Sequence, residues 1–181
     1  MLLKNLIDTD ARLTADLRLS PGANPWWRVV VLLAHSGDSW FWCIGLLIIW
    51  LLDRGEWHVR SALLAGGVVG LAIVVIAIKF TIRRSRPAGE WGAIYRNTDP
   101  HSFPSGHAAR AFMLMVAAWG LGPLWFGILL TIWAPLVSLA RVVTGLHYFS
   151  DILAGAVLGT AAGFALIAAQ PLFLTWFPFL F

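Results

Sequence analysis

Lys79, Arg86, Ser105, His107, Arg141, His147 and Asp151 stand in three short polar segments of a mostly apolar chain. The segments read K-F-T-I-R-R-S-R-P from residue 79, P-S-G-H from residue 104 and R-V-V-T-G-L-H-Y-F-S-D from residue 141. Ionisable groups at a membrane boundary are costly unless something uses them. Three cations, two histidines and one carboxylate are what phosphoryl transfer through a histidine nucleophile needs. A phosphate monoester is close to a dianion at neutral pH, so its site needs fixed cations and N–H donors. Arg86 and Arg141 offer planar forks that donate two parallel bonds to phosphate oxygens, and Lys79 adds a compact charge. Pro104-Ser105-Gly106-His107 directly precedes an apolar helical stretch, whose N-terminus presents N–H groups and a positive dipole end to an anion. Gly106 admits close backbone approach and Ser105 adds a hydroxyl donor.

His147 and Asp151 are four residues apart, so on a helix they share a face. A carboxylate on one ring nitrogen orients the imidazole and leaves the other nitrogen to attack phosphorus. His147 is thus the candidate nucleophile and Asp151 its orienting partner. His107 is the candidate acid that protonates the leaving oxygen. Positioned cations supply most of the rest, since phosphoryl transfer depends largely on positioning and charge stabilisation.

The elements that must position these groups are membrane helices. The chain has 181 residues, 59% hydrophobic and 12% charged, with mean hydropathy +0.77. A soluble domain carries roughly 25% charged residues. The composition therefore describes one integral membrane domain, and the 11 tryptophans suit its interfacial belts. A lone cysteine, Cys43, leaves no internal disulfide. The net charge of +4 points to anionic headgroups or a phosphorylated substrate rather than to nucleic acid. Residues 1–20 are too charged for a cleavable signal peptide.

Residues 1–28 read as an amphipathic interfacial segment, with Leu2, Leu3, Leu6, Leu13 and Leu17 at helical spacing and Pro21, Gly22 and Pro25 ending it. Residues 29–181 read as a single transmembrane domain. Its spans are expected at 29–52, 61–78, 108–121, 124–143 and 149–169, with a polar turn at 53–60 and an aromatic, interfacial tail at 172–181. The Gly- and Ala-rich second span is expected to allow close helix contact. Two spans separate the 79–107 connection from the 141–151 segment. An even number of crossings returns the chain to the same face, so the charged segments can converge. The fold class is all-α: a polytopic helical bundle of about five to six transmembrane helices with an N-terminal amphipathic helix.

In order and internal spacing, the three segments resemble the signature of the type 2 phosphatidic acid phosphatase family: K-x6-R-P, P-S-G-H and S-R-x5-H-x3-D. Lys79, Arg86 and Pro87 match the first element, Pro104 to His107 the second, and Arg141, His147 and Asp151 the third. Ala140 stands where the family has a serine, which removes one phosphate donor. The resemblance implies a helical bundle and metal-independent dephosphorylation of a lipid phosphate or diphosphate through a phosphohistidine on His147. It implies the acid role for His107 and phosphate contacts for Lys79, Arg86, Ser105, Gly106 and Arg141. Members act on phosphatidate, phosphatidylglycerophosphate, isoprenyl diphosphates, lipid A and sphingoid phosphates. The partners implied are the lipid substrate and the bilayer; oligomeric state and the particular lipid are open.

Two rival readings use the same cations. A lipid or anion transporter would bind phosphate without hydrolysing it, but has no need of the His147–Asp151 pair. A lipid phosphotransferase would pass the phosphoryl group to an alcohol. Outside the signature, Arg83 and Arg84 read as a solvated face, Arg110 as a contact to substrate or a carboxylate, and His35 and Asp38 as helix-packing groups. Arg96, Asp99 and His101 read as loop residues that substrate selection could use. Orientation is contested within the sequence. Lys4, Arg12, Arg18, Arg28, Arg83, Arg84 and Arg96 load the side bearing the site, against Arg54 and Arg60 opposite, and that bias marks a cytoplasmic face. The resembled family places its site outside, so the expectation is a bacterial inner membrane with an extracytoplasmic site.

Overall fold

Glycine at every fourth position of the last long helix sets the architecture. Gly155, Gly159 and Gly163 face Ala108, Ala109, Met113 and Val116 so closely that a Cβ on Gly159 would fall 2.0 Å from the Ala109 carbonyl oxygen. Between apolar helices in lipid, small residues let backbones approach and van der Waals contact replaces the hydrophobic drive. The chain is described here by a computed structural model that covers residues 2–20, 25–88 and 97–181. Pro21, Gly22, Gly89, Glu90, Trp91, Gly92 and Arg96 lie outside the described residues, as do the side chains of Leu2, Leu3, Lys4 and Leu6.

Among the described residues the elements are α1 (Leu2–Asp16), α2 (Trp27–Ser36), α3 (Ser39–Leu52), α4 (Glu56–Ile82), α5 (Gly106–Leu121), α6 (Leu124–Val143), α7 (Phe149–Trp176) and a terminal 3-10 turn (Pro178–Leu180). The helices α4, α6 and α7 are long and apolar enough to cross a membrane, and α2 with α3 forms a fourth candidate span bent by 58°. The 16-residue α5 is the central helix, packed on α4, α6 and α7. The all-α bundle is as expected, with local differences. The polar turn shrinks to residues 53–55, because α4 already starts at Glu56 and runs on to Ile82. On α4 the expected close contact is made at Gly67, where a Cβ would fall 2.7 Å from Leu166 Cδ2 and 2.9 Å from Met113 Sδ, whereas Gly66 and Gly70 meet nothing within 4 Å among the described residues.

The core stripe of α4 is Leu64, Val68, Leu71 and Val75, against Ala109, Met113, Leu114 and Ala117 of α5. Steps of three and four residues keep these on one face. The next residue on the stripe is Lys79, 5% exposed. The buried face of α4 therefore ends in an ammonium group.

The amphipathic α1 does more than lie on a surface. Ile7, Leu13 and Leu17 point outward, while Thr14 is buried. Asp10 Oδ1 accepts the Ser150 backbone N–H at 3.0 Å, and Thr14 Oγ1 accepts that of Phe149 at 3.2 Å. The first turn of a helix has backbone donors without internal partners. Here α1 supplies acceptors for two of those on α7.

Candidate active site

The R-x5-H spacing is a helix ending. Thr144 closes α6, and Gly145 adopts φ +70°, a left-handed conformation that costs glycine little. The turn is completed by Leu146 N–H to the Arg141 carbonyl at 3.1 Å and Gly145 N–H to the Val142 carbonyl at 2.8 Å. The His147 N–H also returns to the Arg141 carbonyl, at 3.2 Å. Arg141 and His147 are thus held together by one reversal of the backbone. Both are almost completely buried, at 0% and 1% exposure.

The other segments are brought in by contacts the sequence does not spell out. The Ser105 N–H donates to the Asp151 carbonyl at 3.0 Å, docking the start of α5 on the start of α7. After α4, Arg83 takes φ 53° and Ser85 pairs with His101 in an isolated antiparallel bridge. That pairing sets Arg86 across the cavity. Its Nη1 donates to the Leu146 carbonyl at 2.9 Å and to His147 Nε2 at 3.0 Å. Arginine has only donors, so His147 Nε2 accepts and carries a lone pair, and the ring proton belongs to Nδ1. Nδ1 faces Asp151 Oδ2 at 3.5 Å, a loose contact. Burial first, then the positive Arg86 and Arg141, push the His147 imidazole down to about pKa 3, against the opposing pull of Asp151. The nucleophile candidate is held neutral.

These groups line one cavity of about 410 Å³. Lys79, Arg86, Arg141, His107 and His147 form its polar end, with Gly106 at the tip of α5. Val68, Leu71, Ala72, Val75 and Ile76 of α4 form an apolar wall. Ser105 takes another place: its Oγ accepts the Ala108 N–H at 3.4 Å and caps α5, fully buried behind the lining. Among the described residues, a Cβ on Gly106 would meet only Val75, at 3.5 Å, an ordinary contact.

Several groups outside the signature belong to this site. Asp99 is no plain loop residue. Its Oδ2 receives Lys79 Nζ at 2.5 Å and Arg86 Nη2 at 2.8 Å, and its carbonyl receives Arg86 Nε at 2.7 Å. Arg83 stays on the surface, but Arg84 corrects the solvated-face reading: it donates to Asp151 Oδ1 at 2.8 Å and to Asp10 Oδ2 at 2.7 Å, and lies 3.9 Å from the Tyr148 ring centroid. Arg110 also lines the cavity, and it donates through Nε to the Gly37 carbonyl at 2.8 Å and through Nη1 to the Ser39 hydroxyl, pinning the α2–α3 break. At that break Asp38 does more than pack helices, since its Oδ1 meets His107 Nε2 at 2.7 Å. The only sequence signal for Asp38 was a carboxylate inside an apolar run.

The profile of the PAP2 superfamily matches residues 61–174, and the chain belongs to that superfamily. It is 38% identical over 144 residues, covering 72% of this chain and 73% of the relative, to a decaprenylphosphoryl-5-phosphoribose phosphatase of Mycobacterium tuberculosis. An undecaprenyl-diphosphatase of Sulfolobus acidocaldarius is 29% identical over 140 residues, covering 75% of this chain and 66% of that one. In fold, it superposes on the crystal structure of a transmembrane PAP2-type phosphatidylglycerolphosphate phosphatase from Bacillus subtilis with TM-score 0.74 and 24% identity, over 92% of this chain and 87% of that chain. The chain is a membrane phosphatase of this superfamily.

Proposed function

We propose that the protein hydrolyses the terminal phosphate of a membrane lipid, as a monoester or diphosphate, through a phosphohistidine on His147. The observation that carries this reading is the two-ended cavity. Cations and histidines crowd one end, and the apolar α4 wall leads away from it to Ile76 and Phe80, which also face outward at 53% and 59% exposure. A headgroup phosphate binds at the polar end while its chain stays against α4. Lys79, Arg86 and Arg141 bind the equatorial oxygens, with the start of α5 at Gly106 adding its dipole.

The His147 Nε2 lone pair forms the N–P bond as the bond to the leaving oxygen breaks. His107 gives its proton to that oxygen. Asp151 offsets the charge that forms on the His147 ring, with Arg84 holding its second oxygen. Water then attacks phosphorus and gives a proton to His107, the N–P bond breaks, and phosphate leaves with both histidines restored. Catalysis rests on positioning and fixed charge.

An isoprenyl phosphate is the first substrate to test, given the names of the two relatives. Purified protein in detergent with EDTA is expected to release phosphate from an isoprenyl phosphate, undecaprenyl diphosphate, phosphatidate or phosphatidylglycerophosphate, and His147→Ala to release none. Turnover that survives His147→Ala would sink the mechanism. Phosphate appearing on an added alcohol instead of in solution would make the protein a phosphotransferase.

The site is placed on the extracytoplasmic face of a bacterial inner membrane. The opposing charge bias weakens once Arg84 is counted as an internal ion pair and Arg18 as a donor to the Ala88 carbonyl. Cysteines at Asn97 and at Gly55, each in a Cys43→Ser background, test this. An impermeant thiol reagent on whole cells labels Asn97→Cys alone if the placement is right, and Gly55→Cys alone if it is inverted.

A further inference from the structure

Asp38 lies at the break between α2 and α3, 69 residues from His107 in sequence, and is 8% exposed. Its Oδ1 meets His107 Nε2 at 2.7 Å, while Oδ2 meets His35 Nδ1 at 3.0 Å and Trp40 Nε1 at 3.3 Å. Both oxygens are therefore fixed. The break is tied to the same turn of α5 that carries His107, because Arg110 holds the Gly37 carbonyl. It also sits tight against the ring: a Cβ on Gly37 would fall 3.1 Å from His107 Cδ2 and 2.7 Å from Val137 Cγ1. A carboxylate in an apolar span is retained at a cost unless it acts.

We propose that Asp38 is a positioning residue for proton transfer by His107. It holds Nε2–H, so that Nδ1 is the nitrogen that donates to the leaving oxygen and later receives a proton from water. The arrangement mirrors the nucleophile, where the carboxylate sits at Nδ1 and Nε2 reacts. A hydrogen-bonded carboxylate fixes the reactive nitrogen of an imidazole and stabilises its cation. In the first step the His107 Nδ1–H bond breaks, its proton joins the alkoxide oxygen released from phosphorus, and the electron pair stays on His107. This inference rests on the acid role of His107 given above.

The test compares two esters in detergent: a long-chain alkyl phosphate, whose alkoxide needs a proton, and a nitrophenyl phosphate with an alkyl chain on its ring, whose phenolate leaves without one. The ratio kcat/KM reports only the steps up to leaving-group departure. Asp38→Asn is expected to lower kcat/KM for the alkyl ester by about 10²-fold. The aryl ester should change by less than about threefold, since little acid catalysis is at stake there. His107→Ala should show the same split, and Asp38→Asn added to it should cost nothing more. Arg110→Lys, which loosens the break but keeps the positive charge near His107, should affect both esters alike. Vanadate binding checks that each variant is folded; if Asp38→Asn is not, Asp38→Glu is put through the same comparison. Equal loss on both esters in the Asp38 variant, with the split intact in His107→Ala, would make Asp38 a helix pin and overturn the inference alone. No split in His107→Ala would overturn the acid assignment itself.

Discussion

Two histidine–carboxylate pairs face one cavity, and they are built in opposite ways. His147, just ahead of the Tyr148 N-cap, and Asp151, in the first turn of α7, are neighbours along the chain and meet loosely at 3.5 Å. His107 and Asp38 come from different helices and meet at 2.7 Å. The first pair is surrounded by strong competitors: Arg86 donates to the imidazole, and Arg84 and the Tyr148 N–H hold the carboxylate. The second is reinforced on the far side by His35 and Trp40. A nucleophile must swing from hydrogen bonding to covalent attack, so a loose contact that tightens as charge develops suits it. A proton donor must keep one tautomer through two transfers, and a short, braced bond suits that.

The sharpest break in the comparison is to remove each imidazole. His147→Ala should lower hydrolysis of every ester by at least about 10⁴-fold. His107→Ala should leave a measurable rate that depends on the leaving group. Next in size is Arg84→Met, which frees one Asp151 oxygen and removes one of the ties to α1. Displacing the nucleophile slightly should cost about 10²-fold in kcat/KM, equally for alkyl and aryl esters, in contrast to Asp38→Asn.

A smaller effect is expected from Asp10→Ala, which removes an acceptor from the first turn of α7. A lost helix cap costs about 1 kcal/mol, a fall in Tm of about 3 °C for a chain of this size. Thermal melts in detergent with and without residues 1–20 read this out. Asp99→Asn should act the other way on ligands. Its carboxylate competes with phosphate for Lys79 and Arg86, but it is 42% exposed. Its removal should tighten vanadate binding only about two- to fivefold, as for a screened ion pair.

The last prediction concerns protonation. With its pKa pushed down to about 3, His147 is neutral across the range from pH 5 to 8. Its ¹⁵N ring signals should therefore not move between pH 5 and 8 in the unliganded protein. Any acid limb of kcat/KM in that window would then follow the substrate phosphate, whose second ionisation falls near pH 6 (about 6 for a monoester). A His147 signal titrating near its ordinary value of 6.5 would contradict the burial argument.

The sequence alone determined the parts whose geometry is local. The end of the fourth span at Val143 and the closeness of His147 to Asp151 were legible in the chain, although His147 lies just ahead of the Tyr148 N-cap of α7 and not on a helical face with Asp151. Apolar length marked the helices, and counting spans put the charged segments on one side. Local turns and periodicity carry that information because they depend only on neighbours along the chain. What the tertiary structure decided is everything reached across helices. Asp38 became the partner of His107, Asp99 bridged two cations, and Arg84 tied Asp10 to Asp151. Ser105 was turned into a cap. None of these pairings has a period. They exist because Gly155, Gly159 and Gly163 draw α7 against α5 and because α2 breaks before α3, and only the packed bundle specifies where those surfaces meet.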